Sequence, residues 1–224
     1  MTRSGILFDV DGTLVDTTYL HAVCWARAFA RTGRYPSMAL VHRAVGMGGQ
    51  RLVNHILGDG VGKDDAAAII DAHSVLYAEW HSRLHAFDKS ADLLRACHQR
   101  GLTVALASSA GAGDMSVLRA TLDAEDAVDV VTTSDDADAS KPEPDILQAA
   151  LGKAQLSAEN VVFVGDAVWD VQACQRAGIP CVGLECGGTS RAELLAAGAV
   201  EVWKDPADLL THFQESALGR LIGR

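Results

Sequence analysis

The stretch Ile6-Leu7-Phe8-Asp9-Val10-Asp11-Gly12-Thr13-Leu14 constrains this chain more than any other. Ile6 to Val10 is too short and too apolar for a surface helix, and predicts a buried parallel strand. Gly12 ends it. Asp9 and Asp11 therefore fall at the strand's carboxyl end, where open α/β sheets bind ligands. Side chains on a regular strand alternate with a period of two, so both carboxylates are expected to point the same way. Two carboxylates that close repel, and holding them costs free energy unless something cationic is bound. The plain alternative is a solvated Asp-Gly turn. A calcium loop does not fit, because an EF-hand needs Gly at its sixth position and Glu at its twelfth.

The rest of the chain divides into two patterns. Residues 16 to 86 read as helices without a strand. Asp16 and Thr17 offer an N-cap to a helix with Leu20, Val23, Cys24 and Ala28 on one face, ended by Gly33. A short helix runs from Pro36-Ser37 toward Val45, and Gly46-Met47-Gly48-Gly49 breaks it. Gln50 to Leu57 is a third helix. Asp64 and Asp65 favour the amino end of a fourth, reaching about Arg83. After residue 86 strands alternate with helices. The strands are expected at Thr103–Ala107, Val128–Thr132, Val161–Val164 and Pro180–Leu184. The last helix is expected from Asp205 to about Leu218, stopped by Gly219. Such alternation implies right-handed crossovers and a parallel sheet. The fold class is thus α/β: a Rossmann-like core from 1–15 and 87–224, with an all-helical insert at 16–86.

Bulk properties narrow the function. The 224 residues carry a net charge of -10, which argues against nucleic-acid or anionic-membrane partners. No apolar run approaches a membrane span, and the N-terminus enters the first strand without a secretory signal. The five cysteines, Cys24, Cys97, Cys174, Cys181 and Cys186, have no Cys-x-x-Cys spacing, so reduced thiols and a cytoplasmic location are expected. A small-molecule substrate and a monomer or weak homodimer complete that expectation.

Three further pieces lie at or just beyond later strand ends. Ser108 follows the second strand, Ser140-Lys141-Pro142-Glu143-Pro144 the third, and Gly165-Asp166-Ala167-Val168-Trp169-Asp170 the fourth. In a parallel sheet these ends share one edge. A hydroxyl, a lysine and the carboxylates of Asp9, Asp11, Asp166 and Asp170 therefore converge. Such a cluster suits a hard cation with oxygen ligands, above all magnesium. Each piece alone has a duller explanation: an N-cap, a surface lysine, a turn. Their occurrence in this order at successive strand ends is what chance rarely supplies.

On those residues the sequence resembles the haloacid dehalogenase-like superfamily, in the branch with a helical cap after the first strand. Asp9-Val10-Asp11-Gly12-Thr13, Ser108, Lys141 and Gly165-Asp166-x-x-x-Asp170 match its four motifs in order. The resemblance implies a magnesium-dependent phosphatase. Asp9 would be the nucleophile, and Asp11 the general acid and then the base. Ser108 would bind a phosphoryl oxygen and Lys141 would offset charge. Magnesium would bind Asp9, the Asp11 backbone carbonyl and Asp166, with Asp170 as a direct or indirect ligand. Asp11 must be protonated as the leaving group departs, and the neighbouring Asp9 charge is expected to raise its pKa. Thr13 is expected to orient Asp11 or the adjacent loop. It joins His21, Gly48, Gly49, Gln50 and Ser109 as residues expected to bound the substrate. Trp25 falls on the same cap helix as His21.

The closest alternative is a sugar-phosphate mutase resembling β-phosphoglucomutase. That pattern has an arginine where this chain has Gly49, a lysine where it has Ser109 to Gly113, and Glu-Asp where it has Gly165-Asp166. A phosphorylatable receiver or binding module on a similar sheet is the remaining class, and a receiver lacks so long a helical insert.

Overall fold

The computed structural model describes residues 3–222. β1 (Gly5–Phe8) lies inside a sheet of six strands, with β2 (Thr103–Ala107), β3 (Val130–Thr132), β4 (Val161–Gly165), β5 (Cys181–Leu184) and β6 (Glu201–Trp203). The order is β3-β2-β1-β4-β5-β6 and every pair is parallel. β1 has β2 on one side and β4 on the other, so the strand order reverses there. A crevice must open beyond the carboxyl ends of these three strands, because their connections leave in opposite directions.

Alternation along β1 explains its apolar run. Ile6 and Phe8 belong to one core, with Leu93 and Leu94 of α5 (Ser90–Gln99), Leu209 of α10 (Pro206–Thr211) and Leu218 of α11 (Ala217–Ile222). Leu7 belongs to the other, with Ile146 and Leu147 of α7 (Asp145–Ala154), Val171 of α8 (Val168–Ala177) and Leu194 of α9 (Arg191–Ala197). A strand covered on both faces has no polar side to show. The remaining core helix, α6 (Ala112–Leu122), follows β2.

Between β1 and α5 come α1 (Thr18–Arg31), α2 (Met38–Ala44), α3 (Gly49–Leu57), α4 (Lys63–Ala78) and a short 3-10 turn at His81–Arg83. α1 packs on α4 and α2, and α3 on α4. The two crossings into this helical region pair with each other. The Asp16 amide donates to the His85 carbonyl at 3.0 Å and the Phe87 amide to the Leu14 carbonyl at 2.9 Å. Ser90 adds a buried hydroxyl bond to the Leu14 carbonyl at 2.8 Å.

Three expectations need correction. β1 ends at Phe8 rather than Val10. The chain turns back there: the Leu14 and Val15 amides both donate to the Val10 carbonyl, and Gly12 takes φ +79°. β6 is an unforeseen strand, since its three residues, with only Val202 buried, show no readable alternation. The final helix is two helices. Asp205 caps the first by accepting from the Asp208 amide, and the second begins at Ala217. Gly219 lies inside α11 and does not stop it. A Cβ there would sit 2.5 Å from the Phe213 carbonyl oxygen, so glycine lets α11 close onto the preceding turn.

Candidate active site

Asp9 is the first residue beyond β1, and its amide still donates to the Val164 carbonyl of β4 at 2.9 Å. That bond fixes the backbone and turns the side chain to the sheet edge. Lys141 reaches it from the segment before α7. Its Nζ donates to Asp9 Oδ1 at 2.6 Å and to the Ala107 carbonyl at 3.2 Å, and lies 2.7 Å from Asp170 Oδ1. Lys141 is completely buried. Burial pulls its pKa down, but Asp170 and Asp9 outweigh this and hold it above the ordinary lysine value. The ammonium is charged throughout the physiological range.

Asp166 follows β4, and Asp170 lies in the first turn of α8 with Oδ2 accepting from the Ala167 amide at 3.0 Å. A Cβ on Gly165 would meet the Asp170 carboxyl at 2.6 Å, so the glycine makes room for this carboxylate. Asp9, Asp166 and Asp170 offer oxygens that all lie within 4.8 Å of one another. Three buried carboxylates thus share one ammonium. Burial pushes Asp9 up to about 7, with Asp170 and Asp11 adding to the rise and Lys141 opposing it. Asp166 is held well above its usual range by burial and then by Asp170 and Asp9. The cluster is short of positive charge and offers only oxygen donors, which fits a hard divalent cation.

Asp11 lies in a different environment. Thr17 Oγ1 donates to its Oδ1 at 2.8 Å, His21 Nε2 lies 3.2 Å from the same oxygen, and Ser108 Oγ donates to Oδ2 at 3.4 Å. Burial raises the Asp11 pKa, but the hydrogen bond and charge of His21, with the Thr17 and Ser108 donors, bring it below the usual value. This corrects the expected order. In the protein alone Asp9 is the carboxyl held up and Asp11 the one held down. The reason is that Asp11's donors come largely from the helical insert, which the strand-end motifs do not describe.

Thr13 also differs from expectation. The left-handed turn at Gly12 carries it back toward the core. Its hydroxyl donates to Asp166 Oδ1 at 2.9 Å and lies 3.4 Å from Asp9 Oδ2. It is fully buried and does not line the cleft, and its hydroxyl bridges two carboxylates. Thr17, expected as an N-cap, makes no capping bond because its hydroxyl is committed to Asp11.

A cleft of about 280 Å³ opens above these groups, at the lower end of small-molecule sites. Asp9, Asp11, His21, Gly49, Ser108 and Ser109 line it. Gly48 and Gln50 do not. They line a neighbouring recess, where Gln50 Nε2 donates to Asn54 Oδ1 at 2.9 Å. From the same loop, Gly46 and Met47 face the cleft instead. The Asp11 carboxylate lies outside the three-carboxylate cluster. The five cysteines are free.

Two further wall residues, His73 and Tyr77 of α4, lie outside the strand-end motifs. Together with His21 and Trp25 they form a stacked wall. Tyr77 lies on His21 at 3.9 Å between ring centroids, and Trp25 on His73 at 3.8 Å. His21 Nδ1 lies 3.1 Å from His73 Nε2. Burial, then His21, pushes the His73 pKa down to about 2, so its ring is neutral. Each helix contributes two rings four residues apart, and that i, i+4 spacing was the signal available in the sequence.

The family model for haloacid dehalogenase-like hydrolases matches residues 4–178. The chain belongs to this family. It is an enzyme of the phosphatase type, similar to a protein from Yersinia pestis named phosphoglycolate phosphatase. The two are 30% identical over 199 residues, covering 82% of this chain and 81% of the relative. The fold is also that of a hydrolase from Pseudomonas syringae, with a TM-score of 0.91 and 29% identity, over 96% of this chain and 100% of that one. A β-phosphoglucomutase from Clostridium difficile shares the fold at 17% identity, with a TM-score of 0.83 and full coverage of both chains. No helix among the described residues is long and apolar enough to cross a membrane.

Proposed function

We propose that the chain is a magnesium-dependent phosphatase that hydrolyses a small phosphorylated metabolite through an aspartyl phosphate on Asp9. The observation that carries this is the oxygen-only cluster of Asp9, Asp166 and Asp170, short of positive charge, beside a cleft that Asp9 shares with Asp11. Relatives named phosphoglycolate phosphatase support phosphomonoester chemistry. The mutase reading has less support, because Gly49 and the Ser109 to Gly113 segment leave its second phosphate without the cations that would bind it.

Asp9 attacks phosphorus. A bond forms between its carboxylate oxygen and phosphorus as the ester P–O bond breaks. The phosphoryl dianion bound beside Asp11 raises its pKa so that it takes up a proton, and Asp11 gives that proton to the departing alkoxide. Asp11 then takes a proton from water, which attacks the phosphoryl group and releases inorganic phosphate and free Asp9. Ser108 donates to a phosphoryl oxygen at the transition state, while Lys141 offsets the charge on Asp9 and the phosphoryl group. Asp9 and Asp166 would hold the magnesium, with Asp170 directly or through water and the Asp11 backbone carbonyl. Bound there, the metal supplies Lewis-acid stabilisation of the phosphoryl charge. Residues 16–86 act as a cap over the cleft, hinged at the paired crossings near Val15 and Ala86, and closure excludes water other than the one used. A soluble cytoplasmic enzyme with a small-molecule partner completes the proposal.

The test is phosphate release from a panel of phosphomonoesters with magnesium and with excess chelator. Magnesium-dependent release that Asp9→Asn abolishes is the expected result. Undiminished release in excess chelator removes the metal from the mechanism, and release by Asp9→Asn removes the nucleophile.

A further inference from the structure

The phosphoryl end of the cleft has groups that meet an anion: Ser108, and Lys141 behind Asp9. The opposite end, where the alcohol part of an ester must lie, has none for an anion. Among the described residues no lysine or arginine lines the cleft. Lys141 lies behind Asp9, fully buried, with both carboxylate partners already engaged. Arg51 and Arg176 line a separate recess, and both are ion-paired with Glu143, at 3.2 and 2.6 Å. His73 is neutral. The amino end of α6 favours an anion, but Asp114 sits in its first turn and faces the cleft, which offsets that attraction. Among the described residues, His81 is the only one bonded to the Asp114 side chain, at 3.1 Å.

The rest of the wall is of another kind. Trp25, Tyr77, Met47 and Ile70 offer apolar and aromatic surface. Ser74 and Ser134 offer neutral hydrogen-bonding groups beside them. Apolar faces with a few neutral polar atoms suit a carbon skeleton bearing hydroxyls. A carboxylate or second phosphate in the same place would lose its hydration, find no counter-charge, and face Asp114.

We propose that the leaving group of the substrate is an uncharged, hydroxyl-bearing alcohol, such as a polyol or sugar, and that the cleft discriminates against esters carrying a second anionic group. This rests on the phosphatase reading of the same site. The rejection is electrostatic, and Asp114 is its local source.

Matched ester pairs test it, because each pair differs only by CH₂OH against COO⁻. One pair is glycerol 3-phosphate and 3-phosphoglycerate; the other is 2-hydroxyethyl phosphate and 2-phosphoglycolate. With the full chain and magnesium, kcat/KM is expected to favour the neutral member of each pair by roughly tenfold or more, the scale on which an unpaired buried group is penalised. Asp114→Lys should narrow both ratios, and because each ratio is taken on one enzyme, a general loss of fold cancels. p-Nitrophenyl phosphate serves as the reference ester. If it is hydrolysed while the carboxylate members are turned over equally well or better, the proposal is overturned and the phosphatase reading stands. An Asp114→Lys ratio equal to that of the parent overturns the electrostatic cause. No hydrolysis of any ester, p-nitrophenyl phosphate included, overturns both.

Discussion

Asp9 and Asp11 are two residues apart, yet they belong to different parts of the molecule. Asp9 is held by the sheet and its loops: Lys141, Thr13 and the Val164 carbonyl. Two of the three donors on Asp11, Thr17 and His21, come from the start of the helical insert, and His73 of α4 stands behind His21. The difference teaches that the surroundings of Asp9 are set by the core alone. Those of Asp11 are completed only where insert and core meet.

The sharpest way to break this comparison is to neutralise each carboxylate. Asp9→Asn should abolish turnover and leave no phosphate adduct in acid-quenched mass spectrometry, since an amide is no nucleophile. Asp11→Asn should cut turnover by about 10²- to 10⁴-fold on an alkyl phosphate and least on an aryl phosphate, whose oxygen needs little protonation. An adduct on Asp9→Asn, or undiminished alkyl-ester turnover by Asp11→Asn, would reverse the two roles.

Lys141→Met probes the core side through stability. It leaves buried carboxylates uncompensated, a change that costs about 3–5 kcal/mol in such settings. Urea unfolding at pH 8 should show it, and the cost should shrink at pH 5 as Asp9 and Asp166 take up protons. His21→Asn probes the insert side. Loss of a hydrogen bond to a charged group, worth about 1.5–3 kcal/mol, predicts a fall in kcat of roughly ten- to a hundredfold, with the fold's melting temperature little changed. Equal effects of His21→Asn on kcat and on stability would merge the two regions.

The smallest effect is a pH-dependent one. Asp9 has a folded pKa of about 7 against an unfolded 3.8, so the native protein binds more protons than the unfolded chain between those values. Without metal, its contribution to stability therefore falls as pH rises from about 4 to 7. A bound divalent cation removes that penalty, so the rise in melting temperature on adding magnesium should grow from pH 5 to pH 7. A rise independent of pH would detach Asp9 from the metal.

The same division governs how much the sequence disclosed. Asp9, Ser108, Lys141, Asp166 and Asp170 were legible because each follows a strand, and parallel strands bring their ends to one edge whatever the loops do. His73 and Tyr77 were not, because their place depends on how α4 crosses α1, and tertiary packing decides that. Tyr77 is also part of the core: it is 1% exposed and still lines the cleft. The contact of Thr13 with Asp166 was not legible, because sequence proximity to Asp11 gave no hint that Gly12 would turn it that way. β6 was too short for a pattern, and Gly219 looked like a helix stop where it is a contact.

The paired crossings at Val15 and Ala86 have a consequence for how such a chain assembles and diversifies. Phe8 of β1 must find Leu106 of β2, far along the chain. Once the insert has folded with its two ends side by side, that long detour behaves as a tight turn, and the closure entropy of the sheet pairing drops accordingly. Neighbouring ends also make the insert an exchangeable cassette. A different helical block could be grafted between Asp16 and His85 while Asp9, Lys141 and Asp166 keep their places, so the Trp25, His73 and Tyr77 wall of the cleft can be exchanged without disturbing the carboxylate cluster.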